Sequence, residues 1–467
     1  MTAQTILPAN SVVSGGYEVD NSLRFNKASG DYLNRAQATP TSRRKFTYSG
    51  WIKICELNIY NILFESANGS HNFQMVIQNN GNGNDFRVYD YVDSTNLSLR
   101  TSQAFRDVSA WYHIVLAVDT TQSTASNRVK LYVNGTRVTA FDTETYMDQN
   151  YDTAFANGVN MQIGRQQSAS DYFQGYMCEV VFIDGSQLAA DSFGEFDGDS
   201  GIWKPIDVSG LTFGTNGFYL EFKQSGTGTN ASGLGADTSG NTNHFAVNNL
   251  TAVDQSTDTC TNNFSTLNSL LFHTYSGTYS EGNLKIVASN NSWYADASTI
   301  APSSGKFYME VKVSAIGNYC ALGVGAFPFS NVGHSQLIGE LSNTIGWRNN
   351  GVLNQNGSAG TSLNSFTTND IIGMYLDLDN GKFYFSKNGT LESSTGLSLT
   401  TGLEYFFVVN PRGSTLELNF GSPKYSVSSS NTDDNDYGNF EYSPNITGDG
   451  AAKKFYALNT KNLAEFG

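Results

Sequence analysis

The 467-residue chain is short of charge, proline, cysteine and continuous apolar runs, and each shortage excludes something. Charged residues make up 15% of the total, too few for a helical bundle with a salt-bridged surface. Lys and Arg number 27 against 42 Asp and Glu, and the net charge of −15 sets up a field that repels phosphate backbones and anionic lipid. The expected partners therefore include no nucleic acid and no membrane, and the charge itself serves solubility. The four cysteines, Cys55, Cys178, Cys260 and Cys320, form no CxxC pair and no metal-ligand spacing. They lie in or beside apolar sequence such as IKICEL and GYMCEVVF, which reads as buried free thiols for most of them; disulfides stay open, but the count demands no oxidising compartment. The opening MTAQTILPANSVVSGGYEVDN has no basic n-region and no continuous apolar stretch, so no Sec leader is expected. No run approaches the roughly 20 apolar residues of a membrane helix.

What the chain does have is aromatic residues and glycine. Phe (30) and Tyr (25) dominate an aromatic share of 13%, and there are 46 Gly. Aromatics suit half-buried pleated surfaces, and Gly supplies the positive φ of tight turns, so an all-β protein is expected. The length suggests two to three domains by the usual size of a single core. Short apolar runs separated by turns occupy two regions. In 22–222 they include SGWIKI, NFQMVIQ, DFRVYDYV, WYHIVLAVD, VKLYVNGTRVTAF and YMCEVVFID. In 263–422 they include KFYMEVKV, CALGVGAF, TIGWRN, IIGMYLDLD, KFYFSKN, YFFVVN and TLELNFG. Each region holds Asn-Gly hairpin signals. In VKLYVNG, Val129, Leu131 and Val133 share one face, and Asn134-Gly135 provides the two positive-φ residues of a type I′ turn. In DIIGMYLDLDNGKFYFSKNG, Met374, Leu376 and Leu378 share a face with Phe383 and Phe385 across the turn. The fold class expected is two antiparallel β-sandwich, jelly-roll domains. Residues 1–21 read as an extended arm and 223–262, rich in Gly, Ser, Thr and Asn, as a linker in which Phe245, Val247 and Leu250 pack somewhere. Residues 423–467 read as an acidic segment ending in a strand that docks back on a core. Asp184–Phe196 is the best helix candidate, with Leu188, Phe193 and Phe196 on one stripe.

The first region resembles a laminin-G-like, concanavalin-A-like jelly roll. The matching pieces are SGWIK (49–53), WYHIVLAVD (111–119), VKLYVNGTRV (129–138), MQIGR (161–165) and FQGYMCEVVFIDGSQL (173–188). The second resembles a SPRY domain through SGKFYMEVKV (304–313), IGWRNNG (345–351), the 370–389 hairpin and LELNFG (416–421). Together with the ILPANSVV start, FRDVSAWYHIVLAVDTTQ and the ALNTKNL end, the pair resembles structural proteins of marine tailed bacteriophages. That resemblance implies a virion location after synthesis in the host cytoplasm. It also implies other virion proteins as partners, a homo-oligomer taken as a trimer, and modules that bind glycan or protein on a host cell. It implies no cofactor apart from a Ca²⁺ ion that a laminin-G rim can hold with loop Asp and Asn side chains.

The sequence offers little catalytic chemistry, and no enzyme is expected. A retaining glycosidase on this fold needs a carboxylate pair on one strand. Glu195-Phe196-Asp197-Gly198-Asp199-Ser200 comes nearest, but Ser200 stands where the partner carboxylate belongs. Gly333-His334-Ser335-Gln336-Leu337 lacks the final Gly and the strand-to-helix context of a nucleophile elbow. Asp377-Leu378-Asp379-Asn380-Gly381 has its Gly one place early for a calcium loop and reads as a hairpin turn. His71, His113, His244, His273 and His334 form no local metal pair, and His113 reads as a hydrogen-bonded strand histidine.

Binding is the remaining chemistry. A sugar site needs an aromatic platform with amides and a guanidinium beside it. Trp347, Arg348 and Asn349 supply those groups in the second region, with Trp347 read as either platform or core. Arg412 in the turn NPRG joins them. In the first region Asn68 and His71, in SANGSHN, and Arg165, in RQQSASDY, sit in polar loops at strand ends. The same loops also read as plain solvated turns. The functional expectation is a non-enzymatic virion adhesion module, on a tail fibre, spike or head fibre, for a host-surface glycan. The alternatives are a capsid-decoration or tail-assembly protein, a polysaccharide-degrading tailspike, and a cellular adhesin exported by a non-Sec route.

Overall fold

The computed structural model describes residues 16–69, 71–79, 83–156, 158–272, 277–288, 291–326, 337–447 and 453–467. They fall into two compact units, Val12–Thr261 and, for the C-terminal part, Asn262–Gly467. Each is an antiparallel β-sandwich, so the expected fold class is the one found.

Among the described residues the N-terminal unit pairs two eight-stranded sheets. The first centres on Lys45–Ile54, Trp111–Asp119 and Gly175–Asp184. The second runs Phe141–Thr145, Ser94–Ala104, Asp85–Val92, Asn72–Gln78, Asn61–Ala67, Asn160–Ile163, Tyr32–Ala36, Ala246–Asn248. The sequence alternation explains the packing. Phe73, Met75 and Ile77, and Phe86 and Val88, enter the core, while the residues between them face away. The Asn134-Gly135 turn has both residues at positive φ (46° and 75°), as type I′ geometry requires. Trp203 lies so close over this turn that a Cβ on Gly135 would sit 2.2 Å from the indole.

The first sheet is buried on its other face too. Trp51, Trp111, Tyr176, Phe193, Trp203, Phe213 and Tyr219 form a second apolar cluster there, beneath chain from beyond Ser186. His113 belongs to this layer. Its ring accepts from Trp203 Nε1 (2.9 Å), hydrogen-bonds Ser49 Oγ (2.8 Å) and stacks on Trp51, and burial pushes its pKa down to about 3. It is the structural histidine expected. All four cysteines are buried and free, and burial pushes Cys55 and Cys320 up to about 12.

Three sequence expectations need correction. The stretch 223–262 is not a linker up to Thr261. Leu234, Phe245 and Leu250 enter the core, and Ala246–Asn248 adds an edge strand. Its polar residues fold the chain back on itself: Asp237 accepts from the backbone N–H groups of Tyr219, Ser239 and Asn243. The stretch Asp184–Phe196 forms only a 3₁₀ turn, Ala190–Ser192, followed by the strand Gly194–Phe196. Asp184 is drawn away from any capping role by the N–H groups of Thr41, Ser42 and Asn216. Of the arm 1–21, residues 1–15 lie outside the described residues. Tyr17 and Val19 pack in the outer cluster, with Tyr17 O–H donating to Glu179 (3.3 Å).

The C-terminal unit pairs a nine-stranded and a six-stranded sheet. The hairpin Ile371–Asp377 to Lys382–Lys387 has the expected register, Met374 opposite Phe385 and Leu376 opposite Phe383. Its turn differs from the first: only Gly381 has positive φ, and Asp377 binds the backbone and side-chain N–H groups of Asn380. Asp379 accepts from Gly305 N–H. The supposed calcium loop is thus a tied hairpin. The outer faces of Tyr308, Tyr375 and Tyr384 are covered by Phe440, Ile446, Phe455 and Ala457 from the C-terminal segment. Tyr456–Ala457 docks as a short parallel strand on Lys306–Ala315, and a helix, Thr460–Phe466, follows, capped by Asn459.

Candidate functional site

The second sheet of the N-terminal unit turns one face to the core and the other outward. Pairing fixes a single outward row: Ser98 opposite Tyr89, Tyr89 opposite Gln74, Gln74 opposite Glu65, Glu65 opposite Gln162, and Gln162 opposite Asn34. Six strands at about 4.8 Å spacing make the row roughly 24 Å long. Every position in it is polar, and long side chains frame it. Arg87 lies 4.5 Å over the Tyr89 ring, and Tyr91 stacks on Tyr89 (6.4 Å, 13°). At the other end the Arg165 guanidinium lies 3.6 Å over the Tyr32 ring, and its Nε donates to Gln162 Oε1 (2.7 Å). Glu65 is buried mid-row, and burial raises its pKa against the opposing pull of Gln167 N–H, Gln74 and Arg165. Gln74 and Gln162 are buried with it (9% and 2% exposed), so the accessible chemistry lies at the two ends of the row, where Tyr89 and Tyr91, and Tyr32 with Arg165, can stack on pyranose C–H surfaces and donate to hydroxyl groups.

Arg165 therefore belongs to a built surface. Asn68 and His71 sit at the opposite end of the neighbouring strand, in the turn between Asn61–Ala67 and Asn72–Gln78. There Asn68 N–H donates to His71 O (3.0 Å) and His71 Nε2 lies 3.4 Å from Asp93. The Ala67–Asn160 pairing puts them about five residues from Arg165, near the margin of the same sheet.

In the C-terminal unit the candidates divide. Trp347 is fully buried (0% exposed) against Phe366 and Phe385, so it is core and not a platform. Asn349 is structural: its Oδ1 accepts from Cys320 N–H and its own N–H donates to Cys320 O. Arg348 and Arg412 converge instead on Trp293, a residue the sequence did not single out, at 5.8 and 4.6 Å from its ring centroid. Tyr319, 38% exposed, completes the cluster 5.2 Å from the Arg412 guanidinium. Asn410 ties the loops together by donating to Tyr294 O and accepting from Ile338 N–H.

The stretch examined for glycosidase chemistry lies at a cleft of about 400 Å³ lined by Tyr132, Asp191, Glu195, Phe196 and Trp203, among others. Glu195 and Asp197 share one cation, Lys204 (3.4 and 3.1 Å), and Asp197 also caps the turn through Ser200. Those contacts hold Asp197 well below the usual carboxylate range. The Gly333–Gln336 part of the elbow-like stretch lies outside the described residues, as do His273 and His334. Among the described residues, no three His, Cys, Asp or Glu side chains converge on one point. No described helix is long and apolar enough to cross a membrane.

Comparison with known proteins matches these two sandwiches separately. Residues 27–191 match the concanavalin A-like lectin/glucanases superfamily, and residues 306–423 match the SPRY domain. Among solved structures, a putative carbohydrate binding protein from Bacteroides ovatus is 16% identical over 50% of this chain and 58% of its own (TM-score 0.33). Domain 4 of the extracellular arabinanase AbnA from Geobacillus stearothermophilus, in complex with arabinotriose, is 17% identical over 38% and 82% (TM-score 0.28). The SPRY domain of human HERC1 is 18% identical over 29% and 87% (TM-score 0.25). The chain thus carries a laminin-G-type, concanavalin-A-like lectin domain followed by a SPRY domain.

Proposed function

We propose that this chain is a non-enzymatic adhesion protein whose lectin-like domain binds glycan across the outward row from Tyr89 to Asn34. The observation that carries the reading is the unbroken polar row itself. Its centre is buried and self-bonded, and its accessible ends hold the Arg87-stacked Tyr89 and the Arg165-stacked Tyr32. The match of residues 27–191 to a lectin and glucanase superfamily supports it. The setting proposed is a tailed-phage virion, with other virion proteins as neighbours and a host-surface glycan as ligand. Oligomerisation, proposed as a trimer, would raise weak single-site affinity through effective concentration. The full chain applied to a glycan array is expected to give discrete hits. Tyr89→Ala and Tyr32→Ala should each weaken those hits at least tenfold with unchanged melting. Retained binding in both variants refutes the site, and shortening of a bound glycan during incubation refutes the non-enzymatic reading. Immunogold labelling of purified particles with antibody to residues 264–421 tests the virion setting, which fails if no particle carries gold.

A further inference from the structure

The Arg412 cluster of the SPRY domain has chemistry that the lectin-like face lacks. Arg412 stands in the turn Pro411-Arg412-Gly413 at φ 29°, a left-handed conformation that a non-glycine residue adopts at a cost. Its guanidinium lies beside a pair of touching rings, 4.6 Å from the centroid of Trp293 and 5.2 Å from that of Tyr319, whose centroids are 6.2 Å apart. Its Nε donates to Asn291 O (2.7 Å). The rings hold the guanidinium in place without using its N–H groups, so Nη1 and Nη2 keep the planar fork that fits a carboxylate. Among the described residues neither nitrogen has a hydrogen-bond partner and no carboxylate pairs with Arg412, whereas Arg348 beside it is bound to Glu340 (2.6 Å). A chain with a net charge of −15 would readily supply a counter-ion to a cation that served only packing.

We infer that this cluster is a second binding site, selective for a sugar that carries a carboxylate, such as a hexuronate residue of an acidic polysaccharide. The carboxylate takes the Arg412 fork, while Arg348 stays paired with Glu340. The exposed Tyr319 ring stacks on the pyranose, which favours a sugar over an acidic peptide. The inference rests on the reading of the chain as a glycan binder, at a different site.

The test is calorimetric titration of the full chain with an oligogalacturonate, a neutral glucose oligomer of the same length, and triglutamate. Oligogalacturonate is expected to bind at least tenfold more tightly than the other two, and more weakly as salt rises. Arg412→Asn keeps a residue that tolerates positive φ, so the turn is preserved; it should lower oligogalacturonate affinity at least tenfold, as should Tyr319→Ala. Array hits lost in Tyr89→Ala should persist in Arg412→Asn. Equal binding of the neutral oligomer, or no oligogalacturonate binding, overturns the inference while array hits leave the lectin-like reading standing. Triglutamate binding as tightly as oligogalacturonate also overturns it, in favour of an acidic peptide.

Discussion

Asp258 offers the sharpest check on the architecture, because it belongs to a stretch whose composition reads as a linker. One carboxylate oxygen lies 2.8 Å from Lys53 Nζ and the other accepts from Trp111 Nε1 at 3.1 Å. Both charged side chains are sealed, at 0% and 2% exposure. Removing one member of a buried pair leaves a charge without its compensation and costs about 3–5 kcal/mol. The indole N–H loses its acceptor as well, but the terms share one site and do not add. A loss of about 4 kcal/mol in a unit of this size lowers its melting temperature by roughly 8–16 °C. Differential scanning calorimetry of the full chain with Asp258→Ala should therefore show one transition, that of the N-terminal unit, falling by about 10 °C. The double variant Lys53→Met with Asp258→Leu should recover most of the loss, since two apolar groups need no compensation. A fall below about 2 °C in Asp258→Ala would mean that the segment lies loosely over the sheet, and the account of 223–261 as a wall of the sandwich would be wrong.

Burial raises the Glu179 carboxyl from its usual 4.5 to about 7, although Tyr17 and Tyr219 donate to it. The folded chain therefore holds a proton that the unfolded chain releases between pH 4.5 and 7. The stability this contributes is complete below pH 4.5 and falls by about 1.4 kcal/mol per pH unit towards 7. Glu179→Gln should flatten that part of the urea-stability profile, and an unchanged slope counts against a protonated Glu179. Gly135→Ala should cost about 1–3 kcal/mol, since it strains a residue at φ 75° and drives a Cβ into Trp203. Wild-type stability by urea titration would show that the turn and the indole separate easily.

The strands were legible because their alternation is strong. WYHIVLAVD, NFQMVIQ, DFRVYDYV and YFFVVN coincide with strands residue for residue. The Gly-, Ser- and Asn-rich stretches were not, because composition does not separate a solvated chain from one folded on its own side chains. Asp237 and Asp258 organise 223–261 through bonds to residues distant in sequence, and Asp433 does the same near the C-terminus, accepting from Tyr437, Gly438 and Ala457 N–H. A local pattern holds no trace of such partners. The same limit produced the helix expected at 184–196, where Thr47 and Thr41, far upstream, hold the chain in another path.

For the candidate sites the limit is different in each domain. In the lectin-like domain the signal was present but read from one side only. The period of two that sends Phe86 and Val88 inward must send Arg87, Tyr89 and Tyr91 outward, and a half-exposed face rich in tyrosine and arginine is uncommon enough to count as a surface feature. Reading both faces of each strand would have found most of the row; only the register, which aligns Tyr89 with Gln74 and Glu65, needed the fold. In the SPRY domain no local reading would have served. Trp347 satisfies the motif of an aromatic beside Arg and Asn, yet alternation sends Trp347 to the core and Arg348 outward, so the ring that Arg348 meets must come from elsewhere. It comes from Trp293, more than fifty residues upstream, and Arg412 arrives from a turn more than sixty residues downstream. A cluster built from loop ends of separate strands leaves no spacing in the sequence, and this is why a guanidinium without a carboxylate partner, set beside two touching rings, can be recognised only once the sandwich has brought them together.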